Sequence, residues 1–356
     1  MKLIFNRQKI CLALCLLILS FSSGCSSKNP GWTDQTEILL GTVSQIRVYG
    51  ENRSEGEAAV QAAFRKVEEI ESRMSIWHSD SQIAQINAGA GRDSITVTDD
   101  VLFMIEEGLR YYEMTDGLFH IGLGTLTALW GFNANDPRIP DDDQIQIALE
   151  SLSLPSIQVS GNEVMIRQRG TAIDLGGIAK GYAVDEAARE LRDLGVESAV
   201  INFGGDVYAI GLRPDDTPWS VGIKEPIPGV NDLVGRMLVS NLSVVTSGDY
   251  ERYMVNEETG ERFHHILDPR TGRPVRNELV SVTIVSDTAL EGDILSTTAF
   301  IMGLERGYEF IYDAEGVEGL FITNNGVIYL TPGLEPVFEL MNEAYVLSYL
   351  DIEVSD

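Results

Sequence analysis

The spacing of apolar residues along the chain predicts a mixture of helices and strands. From Ser54 to Trp77, apolar residues recur at steps of three and four, as on an amphipathic helix, and Ser54 stands where an N-cap is expected. Gly117 is expected to end a second such helix, and Gly195 the helix that follows Lys180. The same period predicts helices over residues 99–114, 141–152, 180–195 and 289–304.

Alternating apolar and polar residues, interrupted by turn residues, predict the strands. Residues 36–50 alternate as a strand pair or one long strand, and turns at 160–162 and 325–326 predict two hairpins. Further strands are expected at residues 198–203, 207–211, 219–225, 236–247 and 278–286. Helices and strands do not alternate strictly, so the sequence predicts an α+β fold with mostly antiparallel sheets. The absence of a Gly-x-Gly-x-x-Gly fingerprint and a Walker loop argues against a Rossmann or P-loop fold.

The N-terminus has the organisation of an export signal. Basic residues precede a short apolar run, and small residues lead to Cys25. The segment resembles a bacterial lipoprotein signal in which Cys25 is lipidated, although Ser22 stands where leucine is usual. Ordinary secretion and an uncleaved anchor are the alternatives. We therefore expect a signal peptide at 1–24, a tether at 25–35 and one domain at 36–356. The protein is expected to be exported and lipid-anchored to a bacterial membrane, facing the periplasm or the cell exterior.

Charge and cysteine content exclude several functions. The net charge of -28 excludes a broad nucleic-acid-binding surface, which needs clustered lysine and arginine. All three cysteines, Cys11, Cys15 and Cys25, lie in the N-terminal segment. The remaining chain therefore has no thiol for catalysis, disulfides or metal binding. An anionic ligand would need a local cation in so acidic a protein.

The stretch from Asp174 to Lys180 combines a carboxylate, two glycines and a lysine at a predicted helix start. Glycines allow close backbone approach, and free N–H groups at a helix start favour phosphate. Lys180 would add positive charge, and Asp174 would accept hydrogen bonds from ribose hydroxyls or an amine. The structural alternative is a capped helix start with a lysine facing solvent.

Three other stretches carry candidate chemistry. His265 precedes a predicted turn at Asp268–Gly272, where a neutral imidazole could serve as a general base. Asp293 and Thr297 share one helix face and offer hard oxygen ligands for Mg²⁺. Residues 115–132 interleave glycines with apolar residues, which suits a loop around a flat ligand. Each has a structural alternative, namely a buried histidine, a solvated helix face or a core loop.

Six ordered motifs together resemble the ApbE family of FAD:protein FMN transferases. They are MSIWHSDSQIAQIN, DGLFHIGLGTLTALWGF, IDLGGIAKGYAVD, VINFGGDVYAIG, HHILDPRTGRPV and EGDILSTTAFIMG. The resemblance covers roughly residues 38–329. It implies an ApbE-like, T-fold-related architecture and a Mg²⁺-dependent reaction. In that reaction the FMN part of FAD is joined to a threonine hydroxyl of a redox protein by a phosphoester bond, with release of AMP.

The resemblance also implies roles for individual residues. Asp293 and Thr297 would bind Mg²⁺ together with the carbonyl of Gly177, and His265 would deprotonate the acceptor threonine. His120 stands where the family usually has aspartate, and Leu40 where it usually has methionine. The residues implied to contact FAD are Leu40, Trp77, Leu118, Phe119, His120, Asp174, Lys180 and Leu267.

Alternative functions share some of these features. An FAD pyrophosphatase would use the same metal and phosphate groups but transfer FMN to water. A lipoprotein that only binds FAD would bind tightly without turnover, which leaves the combination of Asp293, Thr297 and His265 unexplained. A solute-binding lipoprotein would need two lobes with parallel sheets, which the strand pattern does not support.

Overall fold

The computed structural model describes residues 30–132, 138–152 and 154–350. The predicted signal peptide, Cys25 and the first part of the tether lie outside these ranges. No helix in the described ranges is long and apolar enough to cross a membrane. The helices within them are α1 (Arg53–Met74), α2 (Gln82–Ala88), α3 (Asp99–Met114), α4 (Gly124–Trp130), α5 (Asp142–Glu150), α6 (Ala179–Asp193), α7 (Ala289–Met302) and α8 (Leu304–Tyr312).

The strands are short and follow one another mostly through tight turns. They are β1 (Gly31–Leu39), β2 (Thr42–Gly50), β3 (Ser94–Thr96), β4 (Ile157–Ser160), β5 (Glu163–Ile166), β6 (Ser198–Phe203), β7 (Asp206–Ile210), β8 (Trp219–Lys224), β9 (Leu233–Val239), β10 (Ser243–Gly248), β11 (Tyr253–Val255), β12 (Arg262–His264), β13 (Leu267–Asp268), β14 (Arg273–Pro274), β15 (Leu279–Ser286), β16 (Glu318–Thr323), β17 (Val327–Leu330), β18 (Phe338–Leu340) and β19 (Val346–Ser348).

A large sheet in the order β1-β2-β6-β7-β10-β15-β16-β17-β19 organises the fold. Its neighbouring strands pair antiparallel except for β17 and β19. Helices α1, α6, α7 and α8 pack on one face. Apolar side chains on those helices, such as Val67 and Ile294, are fully buried against sheet residues such as Ile46 and Ile284. This layer holds the start of α6 and the whole of α7 next to the end of β10.

A smaller sheet, β18-β9-β8, covers part of the opposite face. Its inward side chains, including Trp219, Ile223 and Met237, form a second core with Val244 and Leu320 of the large sheet. Strand β8 alternates buried and exposed residues from Trp219 to Lys224, as expected of a strand with one buried face. Within the described chain, β8 and β18 are the two edge strands of the small sheet.

The predicted α+β class with mostly antiparallel sheets is confirmed, and several boundaries differ. The N-cap of α1 is Asn52, whose side chain accepts a hydrogen bond from the Ser54 N–H, so Ser54 lies inside the helix. Strand β1 begins at Gly31, earlier than the expected domain start at residue 36, because its first residues also pair with β2. The helix predicted at 289–304 ends at Met302, where Gly303 has a φ of 82°.

Candidate functional site

A cavity of about 340 Å³ forms where α6, α7 and the end of β10 meet the 115–132 segment and the loop after β10. It brings together most of the residues singled out in the sequence. Those lining it are Leu118, Phe119, His120, Asp174, Gly177, Lys180, His265, Leu267, Asp293 and Thr297. The cavity thus joins motifs that are widely separated along the chain.

A close contact between two helices positions the polar centre of the cavity. An added Cβ on Gly181 of α6 would lie 2.3 Å from the carbonyl oxygen of Ala289, at the start of α7. The Asp185 carboxylate accepts hydrogen bonds from the N–H groups of Ala289 and Leu290, at 2.8 and 2.9 Å. These contacts hold the two helix starts together, and so they place Lys180 beside Asp293.

Lys180 lies between two carboxylates and does not face solvent. Its Nζ donates to Asp206 Oδ2 at 2.5 Å and lies 3.8 Å from Asp293 Oδ1. The other oxygen of Asp293 accepts a hydrogen bond from the Gly181 N–H at 3.1 Å. The structural alternative of a solvent-facing lysine is therefore wrong, because the lysine is held by the acids of two other elements.

Burial and mutual repulsion shape the charge of this cluster. Burial raises the pKa of Asp293 to about 7, against the lowering effect of Lys180, and the neighbouring Asp206 raises it further. Burial also raises the pKa of Asp206, despite its ion pair with Lys180. For Lys180 burial alone would lower the pKa, but Asp206 and Asp293 outweigh it and raise the pKa. Burial thus favours the protonated form of both carboxylates, against the attraction of Lys180.

Thr297 lies one helical turn beyond Asp293 and belongs to a hydroxyl cluster. Its Oγ1 is 3.0 Å from Ser247 Oγ, at the end of β10, and Ser247 Oγ is 2.9 Å from Ser296 Oγ. The predicted shared helix face of Asp293 and Thr297 is confirmed, since both line the cavity.

Asp174 is fixed by neighbours on both sides. Its Oδ2 accepts a hydrogen bond from the Thr127 hydroxyl at 2.8 Å, and its Oδ1 accepts one from the Gly176 N–H at 2.9 Å. The Asp174 N–H donates to the Ile121 carbonyl oxygen at 2.7 Å, which ties the Asp174–Lys180 stretch to the 115–132 segment. Contrary to the loop expected there, that segment includes helix α4.

Apolar residues form the other side of the cavity, and His120 lies among them. Its Nδ1 accepts a hydrogen bond from the Gly122 N–H at 3.0 Å, as an aspartate oxygen does in an Asx-turn. Burial lowers the pKa of His120 to about 4, so the ring is neutral at pH 7. Histidine therefore reproduces the backbone contact available to aspartate without adding a negative charge.

His265 is held in the tautomer that suits a base. Its Nδ1 lies 3.2 Å from the Arg252 carbonyl oxygen, and only a protonated ring nitrogen can donate to a carbonyl. Nε2 therefore keeps its lone pair. Burial, with the charge of Arg252, lowers the pKa of His265 to about 3, which keeps the ring neutral. The predicted turn after His265 is confirmed by the Gly272 N–H, which donates to the Asp268 carbonyl oxygen at 2.8 Å.

Two predicted FAD contacts lie outside the cavity lining. Leu40 has a φ of 54° in the β1–β2 turn and directly precedes Gly41, which does line the cavity. Trp77 follows the end of α1, and 57% of its surface is exposed. Neither residue is among those that line the cavity.

The cavity also contains functional candidates that were not assigned a role from sequence. They are Thr127, Asp206, Ser247 and Arg252, of which all but Asp206 line the cavity. Asp206 belongs to the FGGD part of a recognised motif, but no spacing rule links it to Lys180. Ser247 lies at the end of β10 and Arg252 shortly after it, and no local sequence pattern marks either residue.

The oxygen ligands present fit Mg²⁺. The described residues contain no group of three or more His, Cys, Asp or Glu side chains that could hold a metal. A site at Asp293 would instead use one buried carboxylate, the Thr297 hydroxyl and the Gly177 carbonyl, with substrate phosphates completing it. Mg²⁺ commonly binds in this way, through one or two carboxylates and phosphate oxygens.

Comparisons with known proteins identify relatives over most of the chain. A relative from Klebsiella pneumoniae (strain 342), named FAD:protein FMN transferase, is 34% identical over 310 residues, which cover 86% of this chain and 94% of the relative. A protein of the same name from Treponema pallidum (strain Nichols) is 30% identical over 88% of this chain and 90% of its own length.

Solved structures show the same fold. The ApbE protein from Thermotoga maritima has a TM-score of 0.78 and 31% identity, covering 86% of this chain and 99% of its own. The flavin transferase ApbE from Vibrio cholerae has a TM-score of 0.77 and 26% identity, covering 87% of this chain and 100% of its own. The family model described as "ApbE family" matches residues 40–321. The chain therefore belongs to the ApbE family.

Proposed function

We propose that this protein is a Mg²⁺-dependent FAD:protein FMN transferase. It transfers the FMN part of FAD to a threonine hydroxyl of a target redox protein and releases AMP. The observation that carries the proposal is the cavity that joins an apolar side to Lys180, Asp293, Thr297 and His265. The names of the curated relatives support the same reaction.

The polar centre suits a pyrophosphate and the apolar side suits the flavin ring. Leu118, Phe119 and Leu267 are almost fully buried and present apolar surface, as flat ring systems require. Lys180 supplies a positive charge close to the helix start at Ala179. Bound at Asp293, Thr297 and Gly177, Mg²⁺ would neutralise charge on the phosphate oxygens.

His265 supplies the base for the transfer. Its Nε2 takes the proton from the acceptor threonine as the threonine oxygen bonds to the FMN phosphorus. The bond from that phosphorus to the bridging oxygen breaks, and the oxygen leaves with AMP. Burial is the main cause of the ring's low pKa and the positive charge of Arg252 adds to it, so the negative phosphates of bound FAD would raise the pKa by opposing the effect of Arg252.

The first test uses the exported form of the protein, FAD, Mg²⁺ and a fragment of a redox-complex subunit that bears a threonine flavinylation motif. We expect a fluorescent acceptor band on a denaturing gel, matched by AMP and lost with EDTA. AMP and free FMN without a labelled band would indicate a pyrophosphatase. Bound FAD without AMP would indicate a carrier.

Two variants assign the roles in the same assay. Asp293→Ala should abolish turnover by removing the carboxylate ligand, and near-normal activity would refute the metal assignment. His265→Ala should lower turnover by about 10²–10⁴-fold while FAD binding, followed by flavin fluorescence, is retained. Loss of FAD binding with unchanged residual chemistry would contradict the role as a base.

We further propose that Cys25 is the lipid attachment site and that the protein is anchored to a bacterial membrane, facing the periplasm or the cell exterior. The signal-like sequence before Cys25 supports this. Metabolic labelling with a fatty acid should mark the wild-type protein and not Cys25→Ser. Labelling of both proteins would contradict the assignment.

A further inference from the structure

A second cavity, of about 640 Å³, lies against the opposite face of the large sheet. One side is formed by residues 220–224 of β8, and the floor by exposed-face residues of β2 and β6, including Gln45 and Asn202. We call this cavity the β8 cleft. The small sheet covers this face of the large sheet at β7, β10 and β15–β17. It ends at its own strand β8, so the same face of β2 and β6 is left uncovered beside β8.

The β8 cleft adjoins the candidate active site. Thr42, Gly204, Thr246 and Glu251 line both cavities. At the other end, Trp32 packs edge-on against Trp219 and Tyr49, with ring centroids 5.8 and 5.1 Å apart. The cleft therefore runs along β2 and β8, with aromatic residues beyond one end and residues shared with the active-site cavity at the other.

The edge of β8 offers unpaired main-chain groups to this cleft. Among the described residues, those from Trp219 to Lys224 pair with β9 on one side only. Alternate residues of an edge strand direct their N–H and C=O groups away from the sheet, where a further strand can bind. Six residues of strand extend for about 20 Å, enough for an extended segment of similar length.

The mouth of the cleft also exposes apolar surface. Ile38 and Val43 are direct cross-strand neighbours in the β1–β2 hairpin, with 71% and 57% of their surfaces exposed. They adjoin Thr42, where the two cavities meet. Exposed apolar pairs beside a polar site are typical of surfaces that contact another polypeptide.

We propose that the β8 cleft binds the acceptor protein as an extended segment, which adds a strand to the free edge of β8. The segment carries its threonine past Thr42 and Thr246 to the phosphate and His265. This inference rests on the proposed transferase function. The threonine that accepts FMN is part of a protein, so a stretch of that protein's chain has to enter the cavity with it. The proposal assigns FAD to the first cavity and the acceptor segment to the β8 cleft.

A bulky side chain in the β8 cleft should weaken binding of the acceptor without affecting binding of FAD. Ser220 is exposed on β8 and distant in sequence from the catalytic groups, so Ser220→Trp should raise the KM for the acceptor fragment by about tenfold or more. FAD binding should stay unchanged. Val346→Trp is the matched control, because Val346 is 63% exposed on β19 at the far edge of the large sheet.

A direct contact experiment does not depend on turnover. Photo-activated benzoylphenylalanine in place of Ser220 should cross-link the acceptor fragment in the presence of FAD, whereas the same residue in place of Val346 should not. Thermal melting of each variant tests that the fold is retained. Equal cross-linking from both positions, or none from position 220 while the fragment is still labelled, would overturn the proposal.

Binding of the fragment as an added strand can be tested separately, because it depends on main-chain hydrogen bonds. N-methylation of alternate backbone amides of the fragment should raise its KM about fivefold for each hydrogen bond removed, while methylation of the intervening amides should not. If wild-type protein fails to label the fragment, the transferase function itself fails. If it labels normally and neither Ser220→Trp nor N-methylation raises the KM, only the docking proposal is overturned.

Discussion

The carboxylate of Asp206 determines where the Lys180 ammonium group lies. Only 1% of the Asp206 side chain is exposed, and its Oδ2 contacts Lys180 Nζ at 2.5 Å. Asp293 is farther away, at 3.8 Å. Lys180 can therefore stay charged in a mostly buried position, from which it faces the cavity.

Asp206→Asn should cost about 3 kcal/mol of unfolding free energy, because it leaves a largely buried ammonium group with only the more distant Asp293 as an anionic partner. Urea unfolding measures the change. Glu339→Gln is the control, since it removes the exposed Arg236–Glu339 pair and should cost less than about 1 kcal/mol. Equal losses of unfolding free energy in the two variants would show that the Lys180–Asp206 pair stabilises the protein no more than an exposed pair does.

His264 makes the protein sensitive to acid. Its Nε2 donates to the Val275 carbonyl oxygen at 2.8 Å, and its Nδ1 accepts from the Ile266 N–H at 3.3 Å. Burial lowers the pKa of His264 to about 4. The unfolded chain therefore binds this proton more readily than the folded protein, and stability falls as the pH drops below the unfolded value near 6.5.

Between pH 7 and pH 5, His264 should account for a loss of about 2 kcal/mol of unfolding free energy. His264→Gln keeps a side-chain N–H for the Val275 carbonyl but has no proton to bind. Its unfolding free energy should thus decline less over this range, as measured by urea unfolding at each pH. Parallel declines for the two proteins would refute the assignment.

At the scale of elements, the contact between α6 and α7 forms the polar centre of the site. Both helices start at the same place, where Asp185 binds the first N–H groups of α7. Gly181 permits this approach because any Cβ there would meet the Ala289 backbone. The distance between Lys180 and Asp293 thus depends on helix packing.

Gly181→Ala should force the helix starts apart and cost about 1–3 kcal/mol, as overpacked positions do. Thermal unfolding would show the loss, and the transfer assay should show a fall in activity as Asp293 shifts. Gly50→Ala is the matched control, because a Cβ at Gly50 would have its nearest contact at 3.7 Å. Wild-type stability in Gly181→Ala would mean that the contact does not constrain the helices.

At the scale of the whole molecule, one sheet supports two cores. Its helix-covered face contributes residues such as Ile284, and its opposite face contributes Val285 and Leu320. Neighbouring residues of β15 therefore face different cores. The two cores are expected to unfold together, because the central strands are common to both.

Leu320→Ala in the second core should cost about 2–5 kcal/mol and lower the midpoint of a single transition. Val67→Ala in the helical core should lower the same transition. Far-ultraviolet circular dichroism and tryptophan fluorescence should report coincident curves for both variants. A separate early transition in Leu320→Ala would show that the small sheet unfolds independently.

Local pattern determined much of the fold. The helix at Asp99–Met114 and the hairpin turn at Asn325–Gly326 agree with prediction, because periodicity and turn chemistry act over a few residues. The apolar periodicity did not predict helix α4, because glycines interrupt it. It did not predict α8 as a separate helix, because only Gly303 lies between α7 and α8. Boundaries shifted where one side chain, such as that of Asn52, capped a helix.

The sequence by itself determined the family, the α+β class and ten of the residues that line the cavity, because these are properties of ordered local motifs. The tertiary structure alone decided the pairing of Lys180 with Asp206, the tautomer of His265 and the free edge of β8 beside the active site. Each of these depends on contacts between elements distant in the chain. Such contacts are fixed by packing, which leaves no periodic signal in the sequence.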